Sequence, residues 1–158
     1  MSVTIRPATP DDAAAIARLH AESHRATYEP LIDGPYEPAS LPDRLGEWRA
    51  ALAGPGLTLV ALDGVQVVGF AHAEGDRIEP LHVDRSYHRQ GVGSALLRQL
   101  LDGMHARSIS SAIFNVFAGN AKAIAFYEAL GARRIGTETM TDAPKPYLDF
   151  VYRIETAI

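Results

Sequence analysis

Apolar residues recur along the chain with two periods. Helical spacing holds at Ala13, Ile16, Ala17 and Leu19, and again at Leu45, Trp48, Ala51 and Leu52. It returns at Val92, Ala95, Leu96, Leu100 and Met104, and at Ala123, Phe126, Tyr127 and Leu130. Four helices are predicted: from Thr9 into the mid-twenties, around 45–52, over 91–106 and over 120–130. Thr9 reads as an N-cap, with Pro10 at the first helical position and Asp11 and Asp12 set against the helix dipole. Gly54 and Gly131 close the second and fourth helices. Short β-branched or alternating runs predict strands over 3–6, 57–62, 65–71, 78–83, 109–117, 133–140 and 147–154. Asp63-Gly64 suits a two-residue hairpin turn. Pro80 cannot donate to a strand ladder and predicts a bulge in its strand. The proline-rich stretch 30–42 reads as a loop or broken turn, and 142–146 separates the last two strands. With no repeat, linker or low-complexity block, one domain over 1–158 is expected.

Composition narrows the class. The 158 residues are 47% hydrophobic and 22% charged, which removes disorder and collagen-like repeats. Fifteen basic against nineteen acidic residues leave a net charge of −4, and no Lys/Arg run suggests nucleic-acid binding. The absence of cysteine removes thiol nucleophiles, thiolate zinc sites and disulfides together. Neither a secretory h-region nor a membrane-length apolar stretch is visible, so a cytoplasmic protein without membrane contact is expected.

Candidate chemistry begins at Tyr87-His88-Arg89-Gln90-Gly91-Val92-Gly93-Ser94, between a strand and a helix. Alternate glycines let a ligand approach the backbone, and a helix N-terminus presents unsatisfied N–H groups suited to phosphate. Taken alone, the same spelling also describes a plain tight turn. No P-loop is spelled here, and Leu96 stands where a dinucleotide fingerprint needs its third glycine. A second segment, Asn120 to Gly131, opens a helix at Asn120 and places Tyr127 two turns on along one side. His20 and His24 share a helix face at i, i+4, but the sequence is not His-Glu-x-x-His, and no metal is expected.

Taken together, the two segments resemble the GNAT superfamily of acyl-CoA-dependent N-acetyltransferases. The loop around Gly91 and Gly93 is similar to that family's pyrophosphate loop. Asn120-x-x-Ala123-x-x-Phe126-Tyr127-Glu128-x-Leu130-Gly131 is similar to its second cofactor segment. The order of elements agrees from Val3 to Ile154. One departure is His88, where the family usually has Gln or Arg. The resemblance implies an α+β fold: a mixed, mostly antiparallel twisted sheet, helices on both faces, and a splayed parallel strand pair that holds acyl-CoA.

The resemblance also implies a reaction, direct acetyl transfer from acetyl-CoA to a primary amine through a tetrahedral intermediate. The cofactor would contact Leu81, His82 and Val83 on one splayed strand, then His88, Arg89, Gln90, Gly91, Val92, Gly93 and Ser94. Asn120, Phe126 and Tyr127 complete the cofactor set. Tyr127 would protonate the leaving thiolate, a backbone N–H near Val83 would meet the oxyanion, and Glu79 or His82 would be the base. His24, Tyr28, Tyr36 and Tyr147 are the candidates for the acceptor side. The acceptor itself would be a small-molecule amine or a peptide N-terminus, and the protein a monomer or homodimer. A non-catalytic acyl-CoA-binding module of the same fold is the alternative.

Overall fold

The structure is a computed structural model that describes residues 2–30, 35–36, 38–141 and 145–157. Much of the 30–42 loop and of the 142–146 connection lies outside the described residues. Among the described residues seven strands form one sheet: β1 (Val3–Pro7), β2 (Leu57–Asp63), β3 (Gln66–Glu74), β4 (Arg77–Val83), β5 (Ser111–Phe117), β6 (Arg133–Met140) and β7 (Tyr147–Glu155). Their order across the sheet is β1-β2-β3-β4-β5-β7-β6. Every neighbouring pair is antiparallel except β4 and β5. The helices are α1 (Ala13–Tyr28), α2 (Leu41–Ala53), α3 (Val92–Ala106) and α4 (Ala121–Ala129).

The strand alternation splits the core in two. One face carries Leu59, Ala61, Val68, Ala71, Ile78, Ala112, Phe114 and Val116 against α3, whose Val92, Leu96, Leu97, Leu100, Leu101 and Met104 are all buried. Ile124, Phe126 and Tyr127 of α4 pack on this face too. The opposite face carries Val60, Leu62 and Phe70 against Ile16, Ala17 and Leu19 of α1 and Trp48 of α2. Period 2 in the strands and period 3.6 in the helices therefore meet on both sides of a single sheet.

Three local expectations shift. Pro10–Asp12 forms a 3-10 turn rather than the first turn of α1, because the Asp12 carboxylate turns back to accept from the Thr9 N–H at 2.7 Å and to pair with Arg6 at 2.8 Å. Pro42 lies inside the first turn of α2 rather than in the loop, where its missing N–H costs nothing; Ser40 caps this helix by accepting from the Asp43 N–H at 3.2 Å. The hairpin turn is Gly64-Val65, with Asp63 paired to Gln66, and Gly64 supplies the φ of +62°.

The expected bulge is present. The register of β3 with β4 shifts between Ala71, opposite Leu81, and Ala73, opposite Ile78, so β4 holds one extra residue there. Beside it, β4 and β5 share a single register pair, Arg77 with Ile113, and none further along among the described residues. The sheet opens between them toward Val83 and Phe117.

Candidate functional site

The gap between β4 and β5 collects side chains from both faces of the sheet. Tyr127 comes from α4 and lies against Phe114 at 4.6 Å and Phe126 at 5.0 Å between ring centroids. Tyr28 ends α1 on the other face and lies 5.7 Å from the Phe117 ring at the end of β5. The two tyrosines nonetheless feel each other: burial first, and the Tyr28 phenol second, hold the Tyr127 hydroxyl well above the ordinary phenol range. Coupling of this kind between helices on opposite faces is direct because no ladder closes the sheet there.

Above the gap, β4 leads through a short turn into α3. The Asp84 carboxylate accepts from the Ser86 N–H at 2.8 Å, and the Tyr87 hydroxyl donates to Asp63. Arg89 and Gly91 take left-handed conformations, with φ of +63° and +80°. The first intrahelical bond of α3 runs from the Ala95 N–H to the Gly91 carbonyl at 3.0 Å, which leaves the N–H groups of 91–94 without intrahelical acceptors. A Cβ on Gly93 would sit 3.2 Å from the Phe126 ring, so this glycine lets α4 close over the loop. The loop's other flank opens as a shallow cavity bordered by Val3, Ile5, Gln90, Gly91, Val92 and Ala95. His88 is exposed, and its Nε2–H donates to the Val83 carbonyl at 2.8 Å, so it braces the loop against the strand. The amide of Gln90 donates to the Ser86 carbonyl at 3.2 Å. Asn120 caps α4 by accepting from the Ala123 N–H at 3.2 Å.

The face of β4 toward α1 and α2 carries a cluster of imidazoles and phenols. His82 lies opposite Phe70 in the ladder, with its ring 5.4 Å from Phe70 and 5.4 Å from His20. Leu81 and Val83 alternate to the other face, where they pack on the α3 side, so only the backbone of 81–83 is shared with the gap. From His20 the cluster continues to His24 at 6.3 Å, then to Tyr28 at 4.5 Å and Tyr36 at 5.7 Å from His24. Nδ1 of His24 and the Tyr36 hydroxyl share a hydrogen bond. Phe117 links Tyr28 to Tyr147, whose ring it meets at 5.5 Å. His24, Tyr28, Tyr36 and Tyr147 thus belong to one continuous aromatic wall.

Burial decides the charge of this wall. His82 is pushed down to about 4 by burial first, then by His24 and Arg44. His20 is pushed down to about 3 by burial first, then by His82, Arg44 and His24. Both rings are neutral near pH 7. Burial also raises the Tyr36 phenol. Glu79 stands apart: it is exposed and paired with Arg77 at 2.9 Å, while Arg77 donates to Asn115 at 3.0 Å. The extra residue of the bulge puts Glu79 and His82 on the same face, which simple alternation over three positions forbids.

Sequence reasoning passed over Arg44 and Phe114. Arg44 precedes Trp48 by one helical turn, and that spacing already placed it on the buried face of α2. Among the described residues no group of three His, Cys, Asp or Glu side chains is arranged to hold a metal ion, and no helix is long and apolar enough to cross a membrane.

Known proteins match this arrangement. Residues 14–132 match the sequence model of the Acetyltransferase (GNAT) family. The [Ribosomal protein bS18]-alanine N-acetyltransferase of Escherichia coli K12 is 49% identical over 49 residues, 31% of this chain; the match spans only about a third, 33%, of that relative's length. The N-alpha-acetyltransferase RimI of Mycobacterium tuberculosis is 29% identical over 136 residues, covering 85% of this chain and 80% of that protein. Among solved structures, an N-acetyltransferase from Staphylococcus aureus Mu50 superposes with a TM-score of 0.79 at 21% identity, covering 99% of both chains. The protein yncA of Salmonella typhimurium, solved with acetyl-CoA, has a TM-score of 0.77 at 19% identity, covering 100% of this chain and 96% of that one. The family model spans most of the chain and the solved structures share its fold over nearly its whole length; the chain belongs to the GNAT acetyltransferase family.

Proposed function

We propose that the chain works as one acetyltransferase domain that moves an acetyl group from acetyl-CoA directly to a primary amine. The observation that supports this reading is the opening between β4 and β5, with Tyr127 packed on Phe114 of β5 and coupled to Tyr28 of the other face, and with the N–H groups of 91–94 lacking intrahelical acceptors at the head of α3. Those amides and the helix dipole suit a pyrophosphate, with Arg89 beside them, and the backbone of 81–83 suits an amide-bearing arm. Acetyl-CoA supplies the activated thioester; the other parts of the chemistry fall to protein groups.

The acceptor nitrogen must be uncharged to attack, and a wall holding Arg44 and neutral imidazoles favours the uncharged amine. Once the N–C bond forms, that nitrogen is far more acidic, and His82 takes its proton. Glu79, engaged by Arg77 and exposed, is the less suited base. The Val83 N–H meets the oxyanion. The C–S bond then breaks, and Tyr127, kept protonated by burial, delivers its proton to the thiolate sulfur. His24, Tyr28, Tyr36 and Tyr147 form the acceptor side, and the absence of cysteine leaves no acetyl-thioester route through the protein. Acetyl-CoA should raise the melting temperature, by linkage, at concentrations well above its Kd. No shift at saturating acetyl-CoA refutes the assignment of the cofactor site.

A further inference from the structure

Arg44 is 5% exposed, yet no carboxylate pairs with it among the described residues. Its Nη1 lies 3.2 Å from both ring nitrogens of His20, and its Nε is buried without any hydrogen-bond partner. Nδ1 of His20 already accepts from the Trp48 indole N–H at 3.1 Å. A neutral imidazole has one acceptor nitrogen, so the guanidinium and the indole compete for a single lone pair. Among the described residues the guanidinium therefore has part of one acceptor, and its Nε has none, in a place where an unpaired charge is costly. Asp12 is paired with Arg6, Glu29 with Arg25 and Glu79 with Arg77, and Glu22 of α1 and Asp43 and Glu47 of α2 form no ion pair with Arg44.

The charge faces the proposed acceptor side. Arg44 acts electrostatically on His20, His82 and Tyr36, and a second guanidinium, that of Arg25, lies over the Tyr36 ring at 4.9 Å. Arg25 is paired with Glu29, whose charge also reaches Tyr36, whereas among the described residues no carboxylate pairs with Arg44. We infer that Arg44 is a specificity-determining residue that pairs with a carboxylate on the acceptor, so that the substrate carries an amine that reaches His82 and a carboxylate that reaches Arg44, on either side of the His20 ring. The inference rests on the acetyltransferase reading of the same site. A diamino acid has this chemistry, and so does a peptide whose N-terminal residue is followed by an acidic side chain. The carboxylate seats the substrate through charge-assisted hydrogen bonds.

The test compares acceptors that differ in one group. Lysine is set against lysinamide and the decarboxylated diamine, and Ala-Asp-amide against Ala-Asn-amide, with acetyl-CoA as donor. In one of the two series the carboxylate member should show about ten- to hundredfold higher kcat/KM, and the series that does so identifies the source. Arg44→Gln should bring that ratio to within about threefold of unity, and Arg44→Lys should keep part of it. Equal use of carboxylate and amide members, with acetyl transfer in hand, overturns the inference and leaves the acetyltransferase reading intact. If no amine is acetylated, that reading falls, and binding decides the inference. Nε-acetyl-lysine or acetyl-Ala-Asp-amide should then raise the melting temperature of the wild-type protein more than its carboxamide does. Equal shifts overturn it. Should Arg44→Gln fail to fold, the wild-type acceptor ratios and Arg44→Lys carry the test.

Discussion

Lowering the pH from about 7.5 to about 5.5 should destabilise this protein through His20 and His82. In the folded state their pKa values lie at about 3 and about 4, below the ordinary 6.5 that they regain on unfolding. The unfolded chain therefore binds protons first as the pH falls. The stability held by the two neutral rings is complete above 6.5 and drains away toward the folded values. At about pH 5.5 each ring contributes a loss of roughly 1.4 kcal/mol, from RT ln(1 + 10^(6.5 − pH)), or about 3 kcal/mol for the pair as an upper bound. In a chain of this length that is on the order of 10 °C in Tm. Urea unfolding at the two pH values, for wild type, His20→Gln and His82→Gln, measures it. Each variant should lose about half of the pH dependence, whatever it does to stability at neutral pH. A wild-type stability that is flat or rising on acidification, or a His20→Gln slope equal to that of wild type, would refute neutral burial of these rings.

Two substitutions address the cofactor side. Tyr127→Phe should lower kcat by about a hundredfold, the scale of one general acid, with little change in the Kd for acetyl-CoA; unchanged turnover removes Tyr127 as the acid. Gly91→Ala adds a Cβ with no atom within 4 Å, so its cost is the left-handed backbone at φ +80° alone. That is about 1–2 kcal/mol, and differential scanning calorimetry should record a Tm several degrees lower; an unchanged Tm would mean the loop relaxes out of that conformation.

The elements were largely legible because both periods are strong. Val92, Leu96, Leu100 and Met104 mark α3 unaided, and Pro80 marks the bulge that precedes the gap. The boundaries that moved did so for local reasons: a helix accepts Pro42 in its first turn, and Asp12 prefers Arg6 to the helix dipole. The glycine loop and Tyr127 were readable as motifs, since each is a short contiguous spelling. The acceptor side was readable only as residue types. His82 and Glu79 share a face because of one extra residue, and Tyr28 reaches Tyr127 because a strand ladder is missing. Arg44 belongs to no motif, although its place one turn before Trp48 puts it on the buried face of α2. Such three-dimensional adjacencies depend on register, and periodicity along one strand does not contain it.

The most direct measurement of the central claim follows both products of one reaction. Free CoA thiol and acetylated amine are quantified together, for wild type and Tyr127→Phe, across a panel of primary amines with acetyl-CoA. One thiol released per acetyl group transferred, at a rate that falls by about a hundredfold in Tyr127→Phe, is the expected result. Tight binding of acetyl-CoA with no amine acetylated would contradict the account and leave a binding module in place of an enzyme.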